Sequence, residues 1–291
     1  MAHHRFHILD VFAVGKYSGN QLAVVRQAAD LTGDTMQAIA AETHFSETTF
    51  ILSDQPRDGG YDVRIFTPKE ELPFAGHPTL GTAFIIQKEI IGRPVDEVRL
   101  NLGVGQIPVT FAGDDVLWMK QMPPVFGMTF DSNIIARMLN LDPADIDDRF
   151  PIQDVSTGAS CIMVPLKSMG ALKKARVDRE RYFDWVKDIP AKAILVFCPE
   201  PYQRENDLSV RVFVDYYGIP EDPATGSANG CLAGYLVHHC YFAKNAIDIR
   251  VDQGYEIGRP SLLLLKAEQA GREIIVRVGG RVIPVAKGEL I

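Results

Sequence analysis

One seven-residue pattern occurs twice in this chain, half a chain apart, and restricts the fold more than any other feature. His77-Pro78-Thr79-Leu80-Gly81-Thr82-Ala83 and Asp222-Pro223-Ala224-Thr225-Gly226-Ser227-Ala228 both read imidazole or acid, proline, two residues, glycine, hydroxyl, alanine, and 222 − 77 = 145 is half of 291 residues. Upstream, Arg64-Ile65-Phe66 matches Arg211-Val212-Phe213 at 147, and Thr49-Phe50-Ile51-Leu52 matches Ile194-Leu195-Val196-Phe197 at 145. A helix-like stretch at 36–42 faces another at 179–186. Four segments aligned in order imply a duplicated unit of helix, strand, strand, loop and helix.

The helix that follows each motif is apolar on every side. In 78–91 the apolar residues include Leu80, Ala83, Phe84, Ile85, Ile86 and Ile90, and in 224–237 they include Ala228, Cys231, Leu232, Ala233, Tyr235 and Leu236. A helix without a polar face is surrounded by protein. Six or seven strand-like segments accompany each helix, at 8–13, 22–25, 48–52, 62–67, 98–101, 107–111 and 116–122 in the first half. In the second they fall at 161–166, 193–197, 208–214, 247–251, 261–267, 274–278 and 282–285. They do not alternate strictly with helices, so a doubly wound parallel sheet fits poorly. The expected fold is α+β, with two pseudo-symmetric lobes, each a mixed curved β-sheet wrapped around a central buried α-helix. Pro123-Pro124, which break both helix and ladder, mark the passage between lobes.

Charge and cysteine content narrow the partners. Thirty Lys plus Arg against 37 Asp plus Glu leave a net charge of −7, which argues against a nucleic-acid partner. No apolar run approaches the roughly 18 residues that span a bilayer, and the start lacks the apolar stretch of a secretory leader. Cys161, Cys198, Cys231 and Cys240 form no Cys-x-x-Cys pair and sit among apolar neighbours. Buried thiols in a reducing, cytoplasmic setting follow, with a small molecule as the partner. His3, His4 and His7 are expected on the exposed lead of a strand, and His238-His239 at a helix C-terminus, where adjacent side chains point apart and make a poor metal pair. No metal site is expected.

Each motif opens a helix. Asp222 suits an N-cap and Pro223 a first helical position, and His77-Pro78 copies the arrangement. Unobstructed N–H groups and the positive end of the helix dipole bind anions. Two such starts facing one another would grip a small carboxylate, although each alone also reads as an ordinary capped helix. A second signal is Glu47, which opens an apolar strand in T-H-F-S-E-T-T-F. A carboxyl in an apolar cleft can hold a proton and return it; position alone equally describes a solvent-facing glutamate. Glu42, Glu70 and Glu71 are rivals by composition, but none immediately precedes a core strand. Neither a phosphate loop nor a complete dinucleotide fingerprint is present.

These residues resemble those of the PhzF (phenazine-biosynthesis-like) isomerase family, within the diaminopimelate-epimerase-like fold. The matching segments are D-V-F-A-V-G-K-Y-S-G-N-Q-L-A-V-V, F-S-E-T-T-F, R-I-F-T-P-K-E-E-L-P-F-A-G-H-P-T-L-G-T-A, G-I-P-E-D-P-A-T-G-S-A-N-G and E-I-G-R-P-S, spread over nearly the whole chain. The resemblance implies an N-terminal lobe of residues 1–118 plus 282–291, a C-terminal lobe of 119–281, and an active site in the cleft between them. It implies catalysis without metal or organic cofactor, and a homodimer. Glu47 matches the glutamate that carries a proton between substrate carbons. His77 and Asp222 match its catalytic neighbours, and Gly76, Gly226 and Ser227 match the contacts to the substrate carboxylate. The family reaction isomerises trans-2,3-dihydro-3-hydroxyanthranilate through an enol. G-N-Q-L-A departs from the usual G-N-P-L-A at Gln21. The alternatives are an amino-acid epimerase or racemase of the same fold, and a small-acid binding protein without activity. Thiol-based racemisation lacks its residues, because neither motif contains a cysteine.

Overall fold

β-branched and aromatic runs build the strands of the first lobe, in a computed structural model that describes residues 4–113 and 115–291. The order is β1 (His4–Val11), β2 (Asn20–Val25), α1 (Gly33–Thr43), β3 (Glu47–Ile51), β4 (Tyr61–Phe66), β5 (Glu71–Leu72), α2 (Gly76–Ile85), a π-helical turn (Ile86–Ile91), β6 (Glu97–Leu102), β7 (Gly105–Ala112) and β8 (Val116–Lys120). β1 pairs antiparallel with β2, β2 parallel with β3, β3 antiparallel with β4, and β4 parallel with β6. β6, β7 and β8 follow as an antiparallel meander.

All ten residues of α2 are buried, and the helix packs against β1, β2, β3, β6, β7 and β8. A sheet that curls round an apolar helix removes its whole surface from water, which is why α2 carries no polar stripe. Gly81 sets how close the helix comes. A Cβ there would lie 2.4 Å from Leu22 Cδ2 and 3.0 Å from Val11 Cγ2.

The second lobe contains β9 (Val125–Thr129), α3 (Ser132–Met138), β10 (Gln153–Ser156), β11 (Ser160–Pro165), α4 (Met169–Lys174), α5 (Arg179–Val186), β12 (Ala193–Cys198), β13 (Leu208–Val214), β14 (Ile219–Asp222), α6 (Gly226–His238), β15 (Ala246–Gln253), β16 (Ser261–Ala270) and β17 (Glu273–Leu290). β10 pairs antiparallel with β11, β11 parallel with β12, β12 antiparallel with β13, β13 parallel with β15, and β15 antiparallel with β16. α6 is enclosed by β10, β11, β12, β15 and β16. The chain divides into two compact units, the first ending at Lys120 and regaining Gly279–Ile291, the second spanning Gln121–Val278. β17 therefore supplies a strand to the first unit, where it pairs with β1 and with β8 and closes that sheet into a barrel.

The two lobes repeat one pairing scheme, and their ladders fix which residues correspond. Phe50 lies opposite Arg64 and Val196 opposite Arg211. Ile65 lies opposite Leu72, and Val212 opposite Asp222. Arg64 forms a forked ion pair with Glu71 at 2.7 and 2.6 Å, and Arg211 one with Glu221 at 3.0 and 2.7 Å. Glu71-Leu72-Pro73-Phe74-Ala75-Gly76 thus corresponds to Glu221-Asp222-Pro223-Ala224-Thr225-Gly226, an offset of 150.

The offset of 145 read from the two proline motifs is corrected accordingly. The structural counterpart of Asp222 is Leu72, and that of His77 is Ser227. The 3₁₀ turn (Asp215–Tyr217) lies on a path of 222 − 211 = 11 residues from Arg211 to Asp222, against 72 − 64 = 8 from Arg64 to Leu72, which moves the offset from 147 at the arginines to 150 at the helix starts. The helix starts move as well. α2 begins at Gly76 after Ala75, α6 begins at Gly226 after Thr225, and neither has a side-chain cap. Asp222 ends β14 instead of capping a helix.

Three smaller expectations also change. His4 and His7 are buried, because β1 is paired on both edges; His3 falls outside the described residues. Cys240 is exposed beyond the end of α6, whereas Cys161, Cys198 and Cys231 are buried, and all four are free thiols. β5, β9, β10, β14 and α4, short or strongly mixed in composition, carried too little periodicity to be read. Among the described residues no helix is long and apolar enough to cross a membrane.

A buried hydroxyl pair ties β3 to α2. Thr49 Oγ1 and Thr82 Oγ1 are 2.8 Å apart, and both residues are fully buried. The corresponding positions of the second lobe are Leu195 and Leu232, also fully buried. One contact is therefore polar in one copy and apolar in the other. Thr82→Val alone strands the Thr49 hydroxyl and is expected to cost about 1–3 kcal/mol. The double replacement Thr49→Val/Thr82→Val should recover most of that loss. Denaturant unfolding of the two variants measures it, and a double mutant weaker than the sum of the singles would refute it.

Candidate active site

Glu47 is the first residue of β3, three residues beyond the left-handed His44 (φ 57°) that ends α1. Its side chain is 16% exposed, and its Oε2 lies 3.4 Å from Nε2 of His77, whose side chain is 5% exposed. His77 occupies the first turn of α2, and a hydrogen bond between its ring and the Gln21 backbone holds the ring in place. Burial drives the His77 pKa down to about 3, against a smaller opposing effect of that hydrogen bond. The ring is therefore neutral at working pH. A neutral ring bonded to the backbone through one nitrogen offers the other to the Glu47 carboxyl.

A depressed histidine pKa stabilises the fold fully above the unfolded value near 6.5, and that contribution drains away as pH falls toward about 3. The His77 ring protons should accordingly show no titration between pH 8 and 5 by NMR. His77→Gln should flatten the fall in unfolding free energy between pH 6.5 and 4.5. A His77 resonance titrating near 6.5 would contradict the burial argument.

The rival glutamates have different surroundings. Glu42 and Glu70 are exposed. Glu71 is clamped by the Arg64 guanidinium, which holds its carboxyl below the usual range, so it keeps no proton at neutral pH.

In the second lobe Asp222 is 7% exposed, and its Oδ2 accepts a hydrogen bond of 2.5 Å from Thr225 Oγ1. Gly226 and Ser227 are the first two residues of α6, Gly226 buried and Ser227 half-buried. The helical ladder begins at Asn229 N–H donating to Thr225 C=O in α6, and at Thr79 N–H donating to Ala75 C=O in α2. The N–H groups of Gly226, Ser227, Gly76 and His77 consequently have no acceptor within their own helices, which is the arrangement that receives an anion. Pro78 has no N–H to leave unpaired, so a proline in this first turn is tolerated.

The residues singled out by sequence thus fall into two local groups: Glu47, His77 and Gly76 in the first lobe, and Asp222, Gly226 and Ser227 in the second. The second lobe has no copy of Glu47. The parallel pairing of Leu22 with Glu47 is repeated as Cys161 with Ala193. Two residues escaped the sequence reading, Thr225 and Gln253. Only the position of Gln253, just before the E-I-G-R-P-S segment, could have drawn attention to it. Cys231, the one cysteine within a central helix, is fully buried, and burial raises its pKa to about 11. Among the described residues no group of three or more His, Cys, Asp or Glu could hold a metal ion.

A barrel curled around a buried helix is the architecture of the epimerase-like fold. The hydroxyproline epimerase of Agrobacterium vitis shares it at a TM-score of 0.66, with 12% identity and coverage of 100% of this chain and 91% of that one. The Bacillus anthracis phenazine biosynthesis protein of the PhzF family superposes at a TM-score of 0.92, with 25% identity over 100% of both chains. Trans-2,3-dihydro-3-hydroxyanthranilate isomerase of Pseudomonas aeruginosa is 34% identical over 290 residues, 98% of each chain. The profile of the phenazine biosynthesis-like protein family, PhzC-PhzF, matches residues 9–288. The chain belongs to this family, and it is an isomerase of the PhzF type.

Proposed function

We propose that this isomerase moves a proton between two carbon atoms of a small carboxylate-bearing substrate, without a cofactor, as in the reaction of trans-2,3-dihydro-3-hydroxyanthranilate isomerase. The observation that carries the proposal is the close pairing of Glu47 with a buried, neutral His77. In the reaction the Glu47 carboxylate takes a proton from a carbon made acidic by conjugation. The electron pair moves into the conjugated system, and the same carboxyl delivers a proton to a second carbon. Glu47 ends in the state in which it began, so no oxidant or reductant is consumed. His77 accepts a hydrogen bond from the protonated carboxyl between the two steps. Asp222 serves the same reaction by bonding the substrate's polar groups, and the N–H groups of Gly76, Gly226 and Ser227 receive its carboxylate. We place the enzyme in the cytoplasm, a setting that four free thiols support, and as a homodimer, on the family resemblance.

Incubation with trans-2,3-dihydro-3-hydroxyanthranilate and related carboxylic acids in deuterated water tests the reading. Isomer should form, with deuterium at the carbon that receives the proton. Binding without product would leave a non-catalytic protein. Deuterium at the α-carbon of an amino acid would make it an epimerase, a reading the inert Cys231 thiol and the lack of an acidic counterpart to Glu47 speak against.

A further inference from the structure

We propose that Gln253 is a positioning residue for Asp222, and that its side-chain amide organises the turn leading into α6. The proposal rests on the reading of Asp222 as an active-site group. Gln253 is the last residue of β15 and fully buried. Its amide makes four hydrogen bonds, all to the segment between Asp222 and Asn229. Nε2 donates to the Asp222 carbonyl at 2.8 Å and to Thr225 Oγ1 at 3.1 Å. Oε1 accepts from the Thr225 N–H at 3.2 Å and from Asn229 Nδ2 at 2.8 Å. Two donors and two acceptor sites are all that a glutamine amide possesses, so none remains for any other role. Thr225, held on two sides by this amide, donates its own hydroxyl to the Asp222 carboxylate. The orientation of that carboxylate is thus referred back to β15 through one residue.

The backbone next to Gln253 supports the same segment. Gly254 has φ 79°, and a Cβ there would lie 2.6 Å from the Pro223 carbonyl oxygen. Only glycine adopts that conformation at that approach.

The first lobe serves as an internal control. β4 meets β6 with Tyr61 opposite Leu100, and β13 meets β15 with Leu208 opposite Val251. Leu102 therefore corresponds to Gln253, and Gly103 to Gly254. The close approach is kept, since a Cβ on Gly103 would lie 3.0 Å from Pro73 Cα. The polar hub is not kept, because Leu102 stands for Gln253 and Leu72 for Asp222. Carboxylate and amide are present together in one copy and absent together in the other. The amide's other partners change with it, since Ala75 stands for Thr225 and Thr79 for Asn229, so the hub is present or absent as one unit.

The test combines Gln253→Met, Asp222→Asn and the double variant, assayed for isomerisation on the substrate found above. Gln253→Met should lower kcat about 10²-fold, the loss that roughly 1 Å of misplacement produces, with KM within about threefold. In the Asp222→Asn background the same change should cost less than about threefold more, because both act through one group. The Thr225 amide should also exchange with solvent at least about tenfold faster in Gln253→Met, a readout that needs no substrate. Unchanged kcat, or an equal loss in both backgrounds, overturns the proposal. If Gln253→Met does not fold, Thr225→Val, at a half-buried position, must show the same non-additivity with Asp222→Asn. Full turnover in Asp222→Asn alone would remove the underlying reading, and the proposal with it.

Discussion

Glu47→Gln is expected to bind substrate with KM within a few-fold of wild type and to lose kcat by roughly 10²–10⁴-fold, the contribution of a positioned acid–base group. The amide matches the carboxyl in size and can donate to the His77 ring nitrogen 3.4 Å away, so the local packing survives. What it cannot do is take a proton from carbon. None of the three rival glutamates stands ready to replace it: Glu71 is held ionised by Arg64, and Glu42 and Glu70 are exposed. Glu47→Asp, one methylene shorter, should retain the chemistry and lose up to about 10²-fold through misplacement. Steady-state kinetics on the two variants, with circular dichroism to confirm folding, decide the matter. Turnover of Glu47→Gln within tenfold of wild type would exclude this residue as the proton carrier.

The largest expected effect on stability comes from the duplicated arginines. Arg211 is 3% exposed and its partner Glu221 8%, whereas Arg64 and Glu71 are 33% and 43% exposed. Arg211 also donates through Nη1 to the carbonyls of Leu172 and Ala175, at the end of α4. Arg211→Met leaves a buried carboxylate without its cation and removes the hydrogen bond to the Leu172 carbonyl, while Ala175 C=O keeps the bond from the Arg176 guanidinium, and should cost about 3–5 kcal/mol. Arg64→Met exposes its partner to water and should cost no more than about 1 kcal/mol. Denaturant unfolding of both variants measures the contrast. Equal losses would show that burial does not set the strength of the two pairs.

Much of this molecule is legible in the sequence because two kinds of pattern are local. The apolar residues on every side of 78–91 and 224–237 imply helices enclosed by protein; α2 and α6 are enclosed, whereas the end of the first stretch, Ile86–Ile91, is π-helical and exposes Lys88 and Glu89. The strand over 208–214 and the repeat of Arg64-Ile65-Phe66 as Arg211-Val212-Phe213 needed no tertiary information either. The site residues with unusual settings, Glu47 before an apolar strand and Gly76 and Gly226 beside proline motifs, were visible from their neighbours and from family resemblance.

The alignment of the two halves was misread for a physical reason. Short motifs of Pro, Gly and hydroxyl residues recur wherever a chain turns into a helix, so a match between His77-Pro78 and Asp222-Pro223 was available at the wrong offset. Ladder register and the two arginine–glutamate forks removed the ambiguity, because hydrogen bonds between strands do not slip past an inserted turn.

From its sequence alone this protein was determined to be a duplicated α+β chain with two enclosed helices, and its candidate acid–base and anion-receiving residues were named. Only the tertiary structure decided that His77 is neutral, that Asp222 answers to a leucine in the other copy, and that a buried glutamine ties it to β15. Those properties depend on desolvation and on contacts between residues distant in the chain, such as Gln21 with His77 and Gln253 with Thr225. Burial and cross-strand register belong to the folded surface, and no stretch of sequence carries them by itself.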